Sequence, residues 1–201
     1  ERWGKHLFEI AAVKVLTFQP SIIEDLQREN YLISEYDKLR ASAKIMFEGK
    51  ERNLSDIIAF ETSPDREVRK HASEAKWQFF ADNAKEFDQI FNELVALRHD
   101  MAVRLGFSNF VQLGYKSMLR TDYNPYMVAD YRRQVLEVIV PLAAKLRKRQ
   151  AQRLGIDSLK YYDLSAVFKS GNPTPKGEPD WIVDNGVRMY EELSHETAEF
   201  F

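Results

Sequence analysis

Cysteine is absent from the 201 residues, and glycine and proline are scarce, at 8 and 7. Without thiols there is no disulfide framework, no thiolate zinc site and no cysteine nucleophile, which agrees with a reducing compartment. Net charge is lacking too. The 29 Lys and Arg nearly cancel the 31 Asp and Glu, leaving a formal −2 and no overall cationic field to hold a polyphosphate backbone. Nucleic acid is therefore not an expected partner. No apolar run approaches the roughly 20 residues that span a bilayer, and the opening Glu1 to His6 is not followed by a signal-type apolar core. A soluble, cytoplasmic chain with no membrane partner is expected. The sequence begins without Met and stops at Phe200-Phe201, an apolar pair in need of something to pack on; it reads as a fragment of a longer polypeptide.

What is present is core-forming material. A composition of 44% hydrophobic and 12% aromatic residues excludes disorder and suffices for one large domain or two small ones. Between the few breakers, apolar residues recur at three and four, the helical period. A first helix is expected from Leu7 to Phe18, ended by Pro20-Ser21, and a second carries Ile22, Leu26, Leu32, Tyr36 and Leu39 before fading at Gly49. Asn53 reads as a helix cap with Asp56 at its third position. Ser63-Pro64 reads as the start of a helix of about 40 residues, from Val68 to Leu105, roughly 60 Å long at 1.5 Å per residue. Phe107 to Leu119 reads as a short helix interrupted near Gly114. Asn124-Pro125 opens another helix, which Pro141 should kink near Glu137 and Gly155 should end. Leu159 to Asp163 reads as a short extended piece and Gly171 to Pro179 as a loop. A last helix is expected from Asp180 to the terminus. No β-hairpin and no internal repeat is evident.

Several side-chain groups carry chemistry in principle. His195-Glu196-Thr197-Ala198-Glu199 comes close to the His-Glu-x-x-His zinc helix, but Glu199 stands where the second imidazole belongs, and the many acids around it favour a solvated face. His6, His71 and His99 have no ligand spacing, so no zinc site is written in these residues. The basic run Lys145, Arg147, Lys148, Arg149 and Arg153 suits an exposed face at a helix C-terminal end better than a phosphate grip. Arg120, Asp122 and Tyr123 bring a cation, a carboxylate and a phenol to one helix junction, and Tyr162 and Asp163 precede the Gly/Pro loop. These five are the candidate substrate-facing residues.

Ordered strings extend the reading. Leu97-Arg98, Met101-Ala102, Leu105-Gly106-Phe107, Asn109-Phe110, Leu113-Gly114-Tyr115, Met118, Arg120 and Asp122-Tyr123 are followed by Tyr131-Arg132, Val140-Pro141-Leu142 and Arg153-Leu154-Gly155. Tyr161-Tyr162-Asp163-Leu164, Met189-Tyr190, Leu193-Ser194, Glu196-Thr197 and Phe200-Phe201 complete the register. From Ser63 to Phe201 this resembles the oligoendopeptidase F family of thimet-type zinc metallopeptidases. The resemblance implies a largely helical, clam-like peptidase whose halves face each other across a deep, narrow channel that admits short unfolded peptides. It implies zinc held by a His-Glu-x-x-His helix and a downstream glutamate, both C-terminal to the matched region, so no catalytic or metal-binding residue carries over onto these 201 residues.

The expectation is therefore an all-α, long-helix scaffold forming part of one half of such a peptidase. Residues 1–62 would be an N-terminal helical segment, and 63–201 the peptidase scaffold, truncated before the zinc-binding helix. Zinc would belong to the parent enzyme, the fragment alone would be inactive, and its partners would be short unfolded peptides and the C-terminal remainder of the same polypeptide. The rival reading is a non-catalytic helical binding module on the same scaffold.

Overall fold

The computed structural model describes residues 4–200. Helices dominate them, and one two-stranded antiparallel hairpin is the only sheet among the described residues. Helix α1 (Gly4–Thr17) and a 3₁₀ turn at Pro20–Ile22 lead into α2 (Ile23–Ala41). The hairpin of β1 (Ile45–Phe47) and β2 (Lys50–Arg52) follows, paired Ile45 to Arg52 and Phe47 to Lys50. The expected second helix thus ends at Ala41, and a hairpin stands where none was expected. Its two-residue turn, Glu48-Gly49, has φ of 49° and 73°, the double left-handed turn that matches strand twist. Glutamate is an uncommon first residue there, which hid the signal.

Helix α3 (Leu54–Glu61) starts on the expected cap: Asn53 Oδ1 accepts from the Asp56 amide at 2.9 Å and Asp56 Oδ2 accepts from the Asn53 amide at 3.2 Å. The expected 40-residue helix is two, α4 (Arg66–Asp82) and α5 (Ala84–Arg104). They part at Asn83, whose backbone leaves helical geometry (φ −105°, ψ 16°) while its side-chain amide donates to the Phe79 carbonyl at 2.7 Å. That carboxamide competes with the helical ladder. The start of α4 also differs from expectation. Its cap is Asp65, whose Oδ1 accepts from the Glu67 amide at 2.8 Å, while Ser63 Oγ accepts from the Asp65 amide.

The break divides the packing. Helix α5 lies on α2 and on α6 (Phe110–Ser117), and there Ile22, Met101, Ala102 and Leu113 form one buried cluster with Leu26, Leu97, Phe107 and Phe110. Helix α4 packs on α3 and β1, where Ile45, Phe47, Ile57 and Ala72 form a second. Each cluster takes residues from both sides of position 62. Helix α6 runs unbroken through Gly114, where a side chain would crowd the Phe110 ring, 3.3 Å from the place of a Cβ.

Helix α7 (Pro125–Gln134) begins on Asn124, whose Oδ1 accepts from the Tyr126 and Met127 amides. It passes through a π-helical turn at Val135–Ile139 into α8 (Val140–Leu154), which ends at Gly155 with φ 70°. The disturbance falls where Pro141 was expected to place it. Proline has no N–H to offer the carbonyl one turn back, and a wider turn takes up the mismatch. The expected extended piece at Tyr161–Asp163 is a 3₁₀ turn, curled because Asp163 Oδ2 accepts from the Lys160 amide at 2.9 Å. The last expected helix is also two, α9 (Pro179–Leu193) and α10 (His195–Phe200). They are separated by Ser194 in extended conformation, whose Oγ accepts from the Thr197 amide.

Candidate functional site

The five sequence candidates fall into two groups of different character. At the junction of α6 and α7, Leu119 takes φ 55°. The helix ends in a reversal in which the Arg120 amide donates to the Tyr115 carbonyl at 3.0 Å and the Leu119 amide to the Lys116 carbonyl at 2.8 Å. Glycine usually occupies that left-handed position. The reversal lays the Arg120 guanidinium against a pair of aromatic rings, 5.0 Å from the Tyr115 centroid and 5.5 Å from that of Tyr123, with the rings 6.1 Å apart at 73°. Thr121 Oγ1 lies 3.4 Å from His6 Nδ1 and ties the junction to α1. Asp122 is exposed. Two hollows flank Arg120. One, of about 410 Å³, is lined by Arg120, Tyr123, Met127, Val128 and Tyr131. The other, of about 300 Å³, includes Gln112, Lys116 and Asp122.

The second group is a buried electrostatic knot. Asp163 has no exposed surface. Its Oδ1 accepts from Arg69 Nη2 at 3.0 Å and from Arg66 Nε at 3.0 Å, and its Oδ2 accepts from Arg66 Nη2 at 2.8 Å and from the Lys160 amide. Burial pushes its carboxyl up. The hydrogen bonds from Arg66, the Lys160 amide and Arg69, with the charge of Arg66, outweigh that and hold it at about 2, against an ordinary 3.8. Arg69, itself buried, also donates to the Ser63 and Pro64 carbonyls at 2.8 and 3.0 Å. The Arg66 guanidinium stands 5.5 Å from the Tyr162 ring centroid. Asp163 thus spends its oxygens on bracing, while Tyr162 remains half-buried beside it.

Beside this knot, buried Gln150 of α8 donates through Nε2 to the Ala166, Leu164 and Asp163 carbonyls, at 2.6, 3.2 and 3.4 Å. Asn172 closes the following loop, accepting from the Val167 amide and donating to the Ser165 carbonyl. The basic run is partly consumed by the same loop: Arg147 donates to Gln150 Oε1 and the Leu164 carbonyl, and Arg153 to the Val167 carbonyl. Sequence reasoning passed over Arg66, Arg69, Gln150 and Asn172. A signal existed for the first two, because cations in the first turns of a helix oppose its dipole and call for a carboxylate.

Among the described residues no three or more His, Asp or Glu side chains come together in a way that could hold a metal ion. His195 and Glu199 lie 3.3 Å apart, both more than 70% exposed, as an ordinary pair one turn apart on a solvated helix. The described residues do not fit a zinc site. No described helix is long and apolar enough to cross a membrane.

These elements define an all-α scaffold with one aromatic-flanked arginine junction and one buried carboxylate knot, and the comparisons place it. The pattern of Peptidase family M3 matches residues 59–174, and the chain belongs to that family. A crystal structure assigned to oligoendopeptidase F is 59% identical over 98% of this chain, with a TM-score of 0.93. A structure of PZ peptidase A with an inhibitor is 55% identical over 99%, with a TM-score of 0.94. A third, assigned to oligoendopeptidase F from Bacillus anthracis str. Ames, is 53% identical over 99%, with a TM-score of 0.91. This chain spans only 35%, 35% and 37% of their lengths. No curated protein matches it.

Proposed function

We propose that these residues are the helical wall of a zinc-dependent endopeptidase that hydrolyses short unfolded peptides inside a deep channel, in the cytoplasm. The observation that carries this reading is identity of 53–59% over nearly the whole chain to structures assigned to oligoendopeptidase F and PZ peptidase A. Residues 63–201 would supply the wall and residues 1–62 would buttress it. Arg120, Asp122, Tyr123 and Tyr162 would stand at its inner edge, with Asp163 bracing the loop behind Tyr162. The zinc ligands would lie in the remainder of the polypeptide. Exposed apolar side chains support such a partner: on α7, α8 and the π turn Tyr126, Leu136 and Leu146 are 84, 65 and 52% exposed, and on α9 Met189 and Leu193 are 70 and 71% exposed. Isolated folded chains rarely leave so much apolar surface in water.

The test is hydrolysis by the full-length protein. Internally quenched peptides of about ten residues should be cleaved at an internal bond, a folded protein should not, and a chelator should abolish cleavage until zinc is restored. Cleavage indifferent to chelation, or none at all from a zinc-loaded protein, overturns the reading and favours a non-catalytic module.

A further inference from the structure

The Arg120 guanidinium is oriented without being used. Arg66, Arg69 and Arg98 each meet a carboxylate, in Asp163, Asp163 and Glu29. Half-buried Arg120 has no hydrogen-bond or ion-pair acceptor for its side chain among the described residues, only the two tyrosine faces. Those rings hold the guanidinium at 5.0 and 5.5 Å from their centroids, and the left-handed Leu119 fixes where its stem leaves the backbone. A guanidinium so held loses little freedom when it accepts a two-oxygen partner.

The surroundings narrow the ligand. On one side the hollow of about 300 Å³ is polar, with Gln112, Lys116, Thr121 and Asp122, and already holds both a cation and an acid. On the other, the hollow of about 410 Å³ offers Met127, Val128 and the rings of Tyr123 and Tyr131 and no acid. That side suits a carboxylate attached directly to an apolar group. Its size fits one or two residues of peptide, at the small end of ligand sites.

We infer that Arg120 and this hollow form a subsite for the C-terminal end of a peptide: the free α-carboxylate on the guanidinium and an apolar last side chain against Met127, Val128 and Tyr131. The inference rests on the endopeptidase reading above, which it deepens by naming a substrate class, peptides with a free carboxylate and an apolar final residue.

The experiment compares, in the full-length protein, two peptides that end in leucine and differ only as free acid and C-terminal amide. Wild type should prefer the acid by about tenfold or more in kcat/KM, the worth of one desolvated, forked charge pair. Arg120→Met should cost the acid at least tenfold more than the amide, and Arg120→Lys should restore part of the preference. Tyr131→Ala, at an exposed ring whose removal spares the fold, should reduce the preference for final leucine over final glycine. Equal losses for acid and amide overturn the inference; they are the result expected if a carboxylate from the rest of the polypeptide pairs with Arg120. A wild type that cleaves neither peptide removes the endopeptidase reading instead. Calorimetric binding of the same two peptides then decides the subsite by itself: acid bound more tightly than amide, with the difference lost in Arg120→Met, upholds it, and equal binding overturns it.

Discussion

Replacing Asp163 with asparagine removes one charge and leaves two facing it. Arg69, buried, keeps its Ser63 and Pro64 carbonyls but loses its only counter-charge, while Arg66 turns toward solvent. Breaking a buried pair from one side costs about 3–5 kcal/mol, chiefly the uncompensated charge left behind. The depressed Asp163 carboxyl gives a second magnitude. The carboxyl titrates near 2 in the folded chain against 3.8 ordinarily, which corresponds to about 2 kcal/mol of stability. Because the folded-state value is the lower one, that contribution is complete above about pH 4 and is lost as the pH falls toward 2. Urea unfolding of wild type and Asp163→Asn from pH 7 down to pH 2 tests both numbers. The variant should be weaker by several kcal/mol at pH 7, and the gap should narrow by about 2 kcal/mol on acidification. A loss below about 1 kcal/mol, or a gap that stays constant with pH, refutes the account of Asp163 as a charged brace.

Two further outcomes follow from the same geometry. Leu119→Gly should raise the unfolding free energy by about 1 kcal/mol, because it relieves a left-handed leucine at φ 55°; an unchanged or lower melting temperature would show that the reversal carries no strain. Gln150→Leu strands the Ala166 carbonyl that its amide satisfies at 2.6 Å and leaves the Leu164 carbonyl with Arg147 as its remaining donor. It should cost about 2–3 kcal/mol and speed proteolytic nicking between residues 164 and 172; nicking at the wild-type rate would show the loop is held elsewhere.

Local chemistry was readable in the sequence and distant pairing was not. The Asn53 and Asn124 caps, the Gly155 stop and the disturbance before Pro141 depend on neighbours within a turn, and all are found where expected. The split at Asn83 escaped because its hydrophobic phase continues on both sides; only the choice made by one carboxamide, bonding its own helix at Phe79, reveals it. For the site, Tyr162 and Asp163 were singled out by their place before a loop, but the roles differ because Arg66 and Arg69 lie 97 and 94 positions earlier. No periodicity links residues so far apart, and sequence offered only an indirect hint, two cations at the wrong end of a helix. The unpaired state of Arg120 was equally invisible, since it follows from which acids fail to reach it.

The widened turn at Val135–Ile139 also changes how the helix on either side of it faces outward. One residue more than an ordinary turn sets everything downstream back by about 100° around the axis. Leu142 and Leu146, which a regular helix would carry about 60° beyond Met127 and Tyr131, are turned back onto nearly the same stripe, and all four side chains lie open. One neighbour laid along the helix can therefore touch side chains on both sides of the turn, so the wide turn lengthens a single contact face instead of dividing it.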